Sequence, residues 1–158
     1  MNVPRRIAPC LLLLALAAGC GGDDNPTEPP PPASGTTIAD VVGSWSATSS
    51  VHTNNADSSE TLDAIAAGAE LRFTMLTGGG TRTWVEFGAF SDEWDAAVTI
   101  SGSALTSNPV EEGRPTRVFQ FTLVGGVLTL TDANSEFDFT LADGAPVSTT
   151  EVIVFARS

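Results

Sequence analysis

From residue 37 onward the chain alternates between apolar and polar side chains. Thr, Val, Phe and Trp recur in short period-two runs, separated by clusters of Gly, Asn, Asp and Pro. That period belongs to strands with one dry and one wet face, and it excludes a helical bundle or a βαβ fold. Eight runs can be drawn, at 43–53, 69–77, 81–89, 93–101, 116–124, 127–132, 135–141 and 149–157. A short helical turn is expected near 38–42. A second candidate is 58–67, where Ser58 or Ser59 would cap Glu60-Thr61-Leu62-Asp63. Gly125-Gly126 is a two-residue hairpin signal, because primed turns need positive φ. It pairs Phe121 with Leu130 and Leu123 with Leu128. Gly78-Gly79-Gly80, read as a three-residue loop, sets Met75 opposite Thr83, Phe73 opposite Val85 and Leu71 opposite Phe87.

Extending the alternation gathers Trp45, Leu71, Phe73, Met75, Val85, Phe87, Trp94, Val98, Ile100, Phe119, Phe121, Leu123, Leu128, Leu130, Phe137, Phe139, Ile153 and Phe155 on one face. Seven of the eight Phe fall there, with Phe90 left in a loop. Arg72, Thr74, Arg82, Glu86, Asp95, Thr99, Gln120, Thr122, Thr129, Glu136 and Asp138 take the other face, and so does Trp84, either a slip of register or a partner surface. A sheet with one dry face is antiparallel, and closure removes its edges. The expected fold is therefore all-β, an eight-stranded antiparallel up-and-down barrel over 37–158, with a two-sheet β-sandwich as the alternative. About eight strands enclose room for packed side chains or for one small ligand. The connections 54–68 and 102–115 are the long ones and would serve as lids.

The first 36 residues have a different vocabulary. Arg5 and Arg6 precede the apolar stretch Leu11–Ala18, too short to span a bilayer, so 1–19 reads as a secretory signal. The stretch ends Leu16-Ala17-Ala18-Gly19-Cys20, which resembles the lipobox of bacterial lipoproteins. That resemblance implies cleavage before Cys20, acylation of Cys20, and anchoring to the cell envelope by several acyl chains. An ordinary signal peptide with a chance Cys is the alternative. Gly21 after the Cys implies, by the same resemblance, the outer membrane facing the periplasm. Residues 20–36, with Pro29–Pro32, form a tether that could reach ~50 Å.

Composition narrows the chemistry. The chain has 7 basic residues, all Arg, against 19 acidic ones, for a net charge of −12. Nucleic acid is excluded as a partner, because phosphate binding needs clustered cations. Once 1–19 leaves, five Arg face 19 acids and the charge is about −14. Of the two Cys, Cys10 departs with the signal and Cys20 carries lipid, so the folded domain has no disulfide and no thiolate metal site. One His and no Lys leave little for acid–base or Schiff-base catalysis.

Ile38-Ala39-Asp40-Val41-Val42-Gly43-Ser44-Trp45 is a short turn followed by Gly-x-Trp, and the last strand ends in Arg157. The pair resembles the lipocalin signature, in which the Trp closes the barrel floor and a terminal Arg packs on it. Gly43, Trp45 and Arg157 would then form the closure, with Arg157 stacked on Trp45 as a cation–π pair. Thr131-Asp132 is similar to the family's Thr-Asp-Tyr turn between strands six and seven. Ala133 stands in place of the Tyr, which points to the small divergent lipocalin-like domains of bacterial lipoproteins. The resemblance implies binding of a small apolar molecule or lipid at the end opposite Trp45, with Phe73, Met75, Phe87, Trp94, Phe119, Phe121 and Phe139 as the ligand-binding residues.

Other candidates carry bland readings. His52, the only imidazole, reads as a surface or strand-end residue. Asp132-Ala133-Asn134-Ser135-Glu136 imitates a calcium loop but has Phe137 where the loop needs Gly. Asp92, Glu93 and Asp95, and Glu111-Glu112, read as solvated acidic turns rather than hydrolase carboxylates. The expected function is a non-catalytic, membrane-anchored binder of a small apolar molecule or lipid, with no cofactor and no metal. The alternative is a structural or protein-interaction domain of the cell envelope with a filled barrel. A connected interior pocket of roughly 300 Å³ or more favours the first.

Overall fold

The computed structural model describes residues 35–140 and 144–158. The expected signal at 1–19, the lipidation site Cys20, most of the 20–36 tether, and Leu141 at the end of one proposed run lie outside the described residues. A one-turn helix, α1 (Ile38–Val41), opens the fold. Nine strands follow: β1 (Gly43–Asn54), β2 (Thr61–Asp63), β3 (Glu70–Met75), β4 (Gly80–Phe87), β5 (Phe90–Ser101), β6 (Ala104–Pro109), β7 (Arg117–Val124), β8 (Val127–Phe137) and β9 (Val147–Arg157). Every pairing is antiparallel. β1 and β3 to β9 run in sequence order around the wall, β9 pairs back onto β1 and closes an eight-stranded barrel, and β2 is added outside the circuit along β1.

The turn signals fix most of the register. Gly125-Gly126 sets Phe121 opposite Leu130 and Leu123 opposite Leu128. The β3–β4 turn is centred one residue earlier than its three glycines suggest, since Gly80 belongs to the strand. Met75 pairs with Thr81, Phe73 with Thr83 and Leu71 with Val85. The shift from the expected pairs is two residues, so each side chain keeps its face. Gly79 (φ 82°) is packed against β5, where its carbonyl accepts from Val98 N at 2.7 Å and a Cβ would fall 2.7 Å from Val98 O.

Three stretches depart from the expected runs. Residues 104–109 form β6, in the middle of what reads as a loop. Leu105 is their one large apolar residue, but β5 and β7 hydrogen-bond both edges, and tertiary pairing overrides a weak local signal. The runs 127–132 and 135–141 are one strand, β8, interrupted by a bulge between Asp132 and Ser135. Thr131-Asp132 therefore lies within a strand and not at a turn. Residues 58–67 carry β2 instead of a helix. Asp63 Oδ1 accepts from the backbone N–H groups of Ser50, Ile65 and Ala66, and these bonds compete with helix formation.

One end of the barrel is plugged. Trp45 is fully buried and donates from Nε1 to Val41 O at 2.8 Å. The Arg157 guanidinium lies 4.5 Å from the centre of the Trp45 ring and donates to Val42 O (2.7 Å) and Asp40 O (2.6 Å), tying α1 across the opening. Gly43 (φ 128°) passes so close that a Cβ would sit 2.9 Å from Arg157 Nη1. Above this floor Phe73, Met75, Val98, Leu105, Phe119, Phe121, Leu128, Leu130, Ile153 and Phe155 form one buried cluster. Phe73 stacks on Trp45 and meets Phe155 edge-on.

Candidate functional site

The same inward positions change character along the strands. On β9, Phe155 and Ile153 are followed inward by Glu151 and Thr149. On β8, Leu130 is followed by Asp132, and on β7, Phe119 by Arg117. Apolar packing near the floor thus gives way to a buried polar wall toward the other end. Between them lies a cavity of about 230 Å³. Its apolar wall includes Phe73, Met75, Trp94, Val98 and Phe119, and its polar wall includes Arg117, Glu151, Thr81 and Ser107. Neither Trp45 nor Arg157 borders it.

Four of the seven residues expected to contact a ligand, Phe73, Met75, Trp94 and Phe119, line this space. Phe87, Phe121 and Phe139 do not. Phe87 sits at the β4–β5 turn, paired with Phe90. Phe121 is buried nearer the floor, one inward position beyond Phe119. Phe139 follows the end of β8 and meets Phe137 edge-on at 5.3 Å.

Arg117 organises the polar wall. Its Nε donates to Asp132 Oδ2 at 2.8 Å, and its Nη2 lies 2.7 Å from the same oxygen and 2.6 Å from Glu151 Oε2. The guanidinium also stands 4.7 Å from the centre of the Phe119 ring. Asp132 and Glu151 are 5% and 6% exposed. Glu151 accepts from Ser50 Oγ (3.1 Å) and Ser135 Oγ (3.3 Å), and Asp132 Oδ1 accepts from Asn134 N at 2.9 Å. Burial opposes the charge on Arg117, but the Glu151 and Asp132 carboxylates more than offset it, and its pKa rises.

His52 is not a surface residue. It is 6% exposed, stacked on Phe137 at 3.9 Å, with Nε2 3.5 Å from Glu151 Oε1. Its buried Nδ1 has no hydrogen-bond partner, and neither has Thr149 Oγ1. Burial pushes the His52 pKa below the ordinary imidazole value, against the pull of Glu151. Two bulges aim these side chains inward. Thr48 is an extra residue on β1, between Ala47 opposite Phe155 and Ser49 opposite Val154. On β8, Ala133 and Asn134 separate Asp132 from Ser135. Bulges next to functional sites commonly re-aim side chains in this way.

No family model, curated protein or solved structure matches this chain.

The geometry bears on the remaining candidates. Among the described residues no hydroxyl hydrogen-bonds His52, and Ser50 and Ser135 donate to Glu151 instead. Among the described residues no group of three or more His, Cys, Asp or Glu side chains is arranged to hold a metal, and Asp132 is occupied by Arg117. The acidic turns are ion-paired at the surface: Arg82 with Asp95 and Glu93, and Arg114 with Asp92 and Glu111. Arg114 also lies 4.8 Å from the centre of the Trp94 ring, so the 110–116 connection is pinned beside a cavity residue. Trp84 faces outward, covered by Arg72 at 4.1 Å.

Sequence reasoning missed Arg117, Glu151 and His52. The first two were within reach, since alternation from Phe121 and Phe119 arrives at Arg117, and from Phe155 and Ile153 at Glu151.

Proposed function

We propose that this chain is a non-catalytic binding module, lipocalin-like in design, that holds a small, mainly apolar molecule inside its barrel. The observation that supports this reading is the cavity of about 230 Å³ between the aromatic wall and the Arg117–Glu151 wall. It does not reach the roughly 300 Å³ expected of such a binder, the lower end of the ~300–1,000 Å³ of drug-sized sites. It equals roughly eight waters' share of liquid volume, so the ligand is small. Binding would consist of burying apolar surface against Phe73, Met75, Trp94 and Phe119, with the polar wall orienting one end of the ligand. The arrangement Leu16-Ala17-Ala18-Gly19-Cys20 supports a companion proposal, that the module hangs from the envelope by acyl chains on Cys20, in the outer membrane and facing the periplasm.

The direct test is native mass spectrometry of protein purified from its host, together with titration of small apolar probes followed by Trp fluorescence, since Trp94 lines the cavity. A retained small molecule, or a saturable change in emission, is the expected result. Protein that emerges empty and answers no probe would favour the structural or protein-interaction reading. For the anchor, Cys20→Ser should release the protein from membranes, and unchanged membrane retention would refute it.

A further inference from the structure

We propose that the occupant is a small organic cation, an amine with an apolar body, whose ammonium is held against Glu151 while the body lies on Phe73, Trp94 and Phe119. The inference rests on the binding-module reading and names its ligand class.

Charge balance at the polar wall is the first ground. One guanidinium, Arg117, serves two buried carboxylates, Asp132 and Glu151. His52 does not restore the balance, because burial favours its neutral form. An unbalanced buried charge is costly unless it is paired. The second ground is which carboxylate has the smaller share of the guanidinium. Asp132 takes two close guanidinium nitrogens and a backbone N–H. Glu151 takes a single short bond from Arg117, supplemented by hydroxyls at 3.1 and 3.3 Å and an imidazole nitrogen at 3.5 Å. It is Glu151, not Asp132, that borders the cavity. Arg117, Ser50 and Ser135 take three of a carboxylate's about four lone-pair sites, and the imidazole at 3.5 Å stands beyond a close hydrogen bond, so Glu151 can accept one more donor.

The remaining walls suit a cation. Phe73, Trp94 and Phe119 present aromatic rings that bury the hydrocarbon; Arg114 already lies over Trp94 and Arg117 over Phe119, so of the three it is Phe73 whose face is left to attract the ammonium. The chain's net charge of −12 enriches cations around the domain. An anionic head would fare poorly: Arg117 also borders the cavity, but it is already shared by two carboxylates, and the newcomer would face both. The volume fits a free amine and leaves no room for a diacyl lipid body.

The test uses the full-length protein and three probes with the same six-carbon chain, hexylamine, hexan-1-ol and hexanoate, titrated near neutral pH by calorimetry or Trp emission. Hexylamine should bind at least about tenfold tighter than either of the others, the increment of one charge-assisted contact. Hexan-1-ol or hexanoate binding as tightly as hexylamine would overturn the cationic assignment and leave the binding module standing. Absence of binding by all three would overturn both. In Glu151→Gln the preference for hexylamine over hexan-1-ol should shrink to within about threefold, with circular dichroism showing that the variant folds. Retained amine preference in that variant would overturn the role of Glu151. If the variant does not fold, the three-probe contrast in the unmodified protein still decides.

Discussion

Replacing Arg117 with Leu tests whether the polar wall is a single charge-coupled unit. The substitution removes the 2.8 Å bond to Asp132 and the 2.6 Å bond to Glu151 and leaves two nearly inaccessible carboxylates without a cation. Breaking a buried ion pair by removing one partner costs about 3–5 kcal/mol. The Arg117 side chain is itself 36% exposed, so water screens part of the interaction and the lower end of that range applies, about 3 kcal/mol. Leu preserves some contact with Phe119 but loses the cation–π pair at 4.7 Å, worth about 0.5–1 kcal/mol at partly exposed sites. At roughly 4 °C per kcal/mol for a domain of this size, the melting temperature should fall by about 12 °C. Thermal and urea unfolding followed by circular dichroism give the number. A loss below about 1 kcal/mol at neutral pH would mean that the wall is not coupled as described.

Trp45→Ala should cost about 3–5 kcal/mol, since a fully buried ring, its bond to Val41 and the seat of Arg157 are lost together; a cost below about 1 kcal/mol would remove Trp45 from the closure. His52 has a folded-state pKa below its unfolded value, so its contribution to stability is complete above about pH 6.5 and declines as the pH falls through and below that point. Melting temperatures between neutrality and about pH 5.5 should show this slope, and His52→Phe, which keeps a ring against Phe137, should flatten it; an equal slope in the variant would assign the effect to other groups. Deleting Thr48 should be tolerated at about 0.5–1.5 kcal/mol, the worth of its bond to Val154 O, because it converts the bulge to a regular strand without turning any neighbour around. Deleting Val152 from β9, which carries no extra residue of its own and pairs regularly with β1 from Thr150 to Ile153, should abolish folding, and similar stability for the two deletions would contradict the register.

Near the floor, sequence and structure agree closely. The Phe121–Leu130 register follows from two glycines, and the inward faces of β3, β4, β5 and β7 follow from simple alternation. Arg157 lies one inward step beyond Ile153 and Phe155, and the β1–β9 register sets it opposite Trp45. β6 escaped because its Ser, Thr, Asn and Pro are loop vocabulary, and its stability comes from two neighbours that local pattern does not show.

The polar wall was hidden for a different reason, one of parity. Trp45 and His52 are an odd number of residues apart, so a regular strand that buries the first must expose the second, bringing Ser49, Val51 and Thr53 inside. Both are buried because Thr48 is an extra residue between them. The same applies between Asp132 and Ser135 on β8. No residue type announces a bulge of this kind, yet its necessity was implicit elsewhere. Regular alternation already turns Arg117 on β7 and Glu151 on β9 inward, and inward charges require polar company from the neighbouring strands. At regular parity β1 offers them the hydroxyls of Ser49 and Thr53 with a valine, Val51, between. Shifted by one residue, it offers Ser50 and His52. The bulge in β1 is thus best understood as the consequence of burying Glu151. A strand whose regular register cannot satisfy an inward charge beside it is a place to look for an inserted residue, and for the site that the insertion serves.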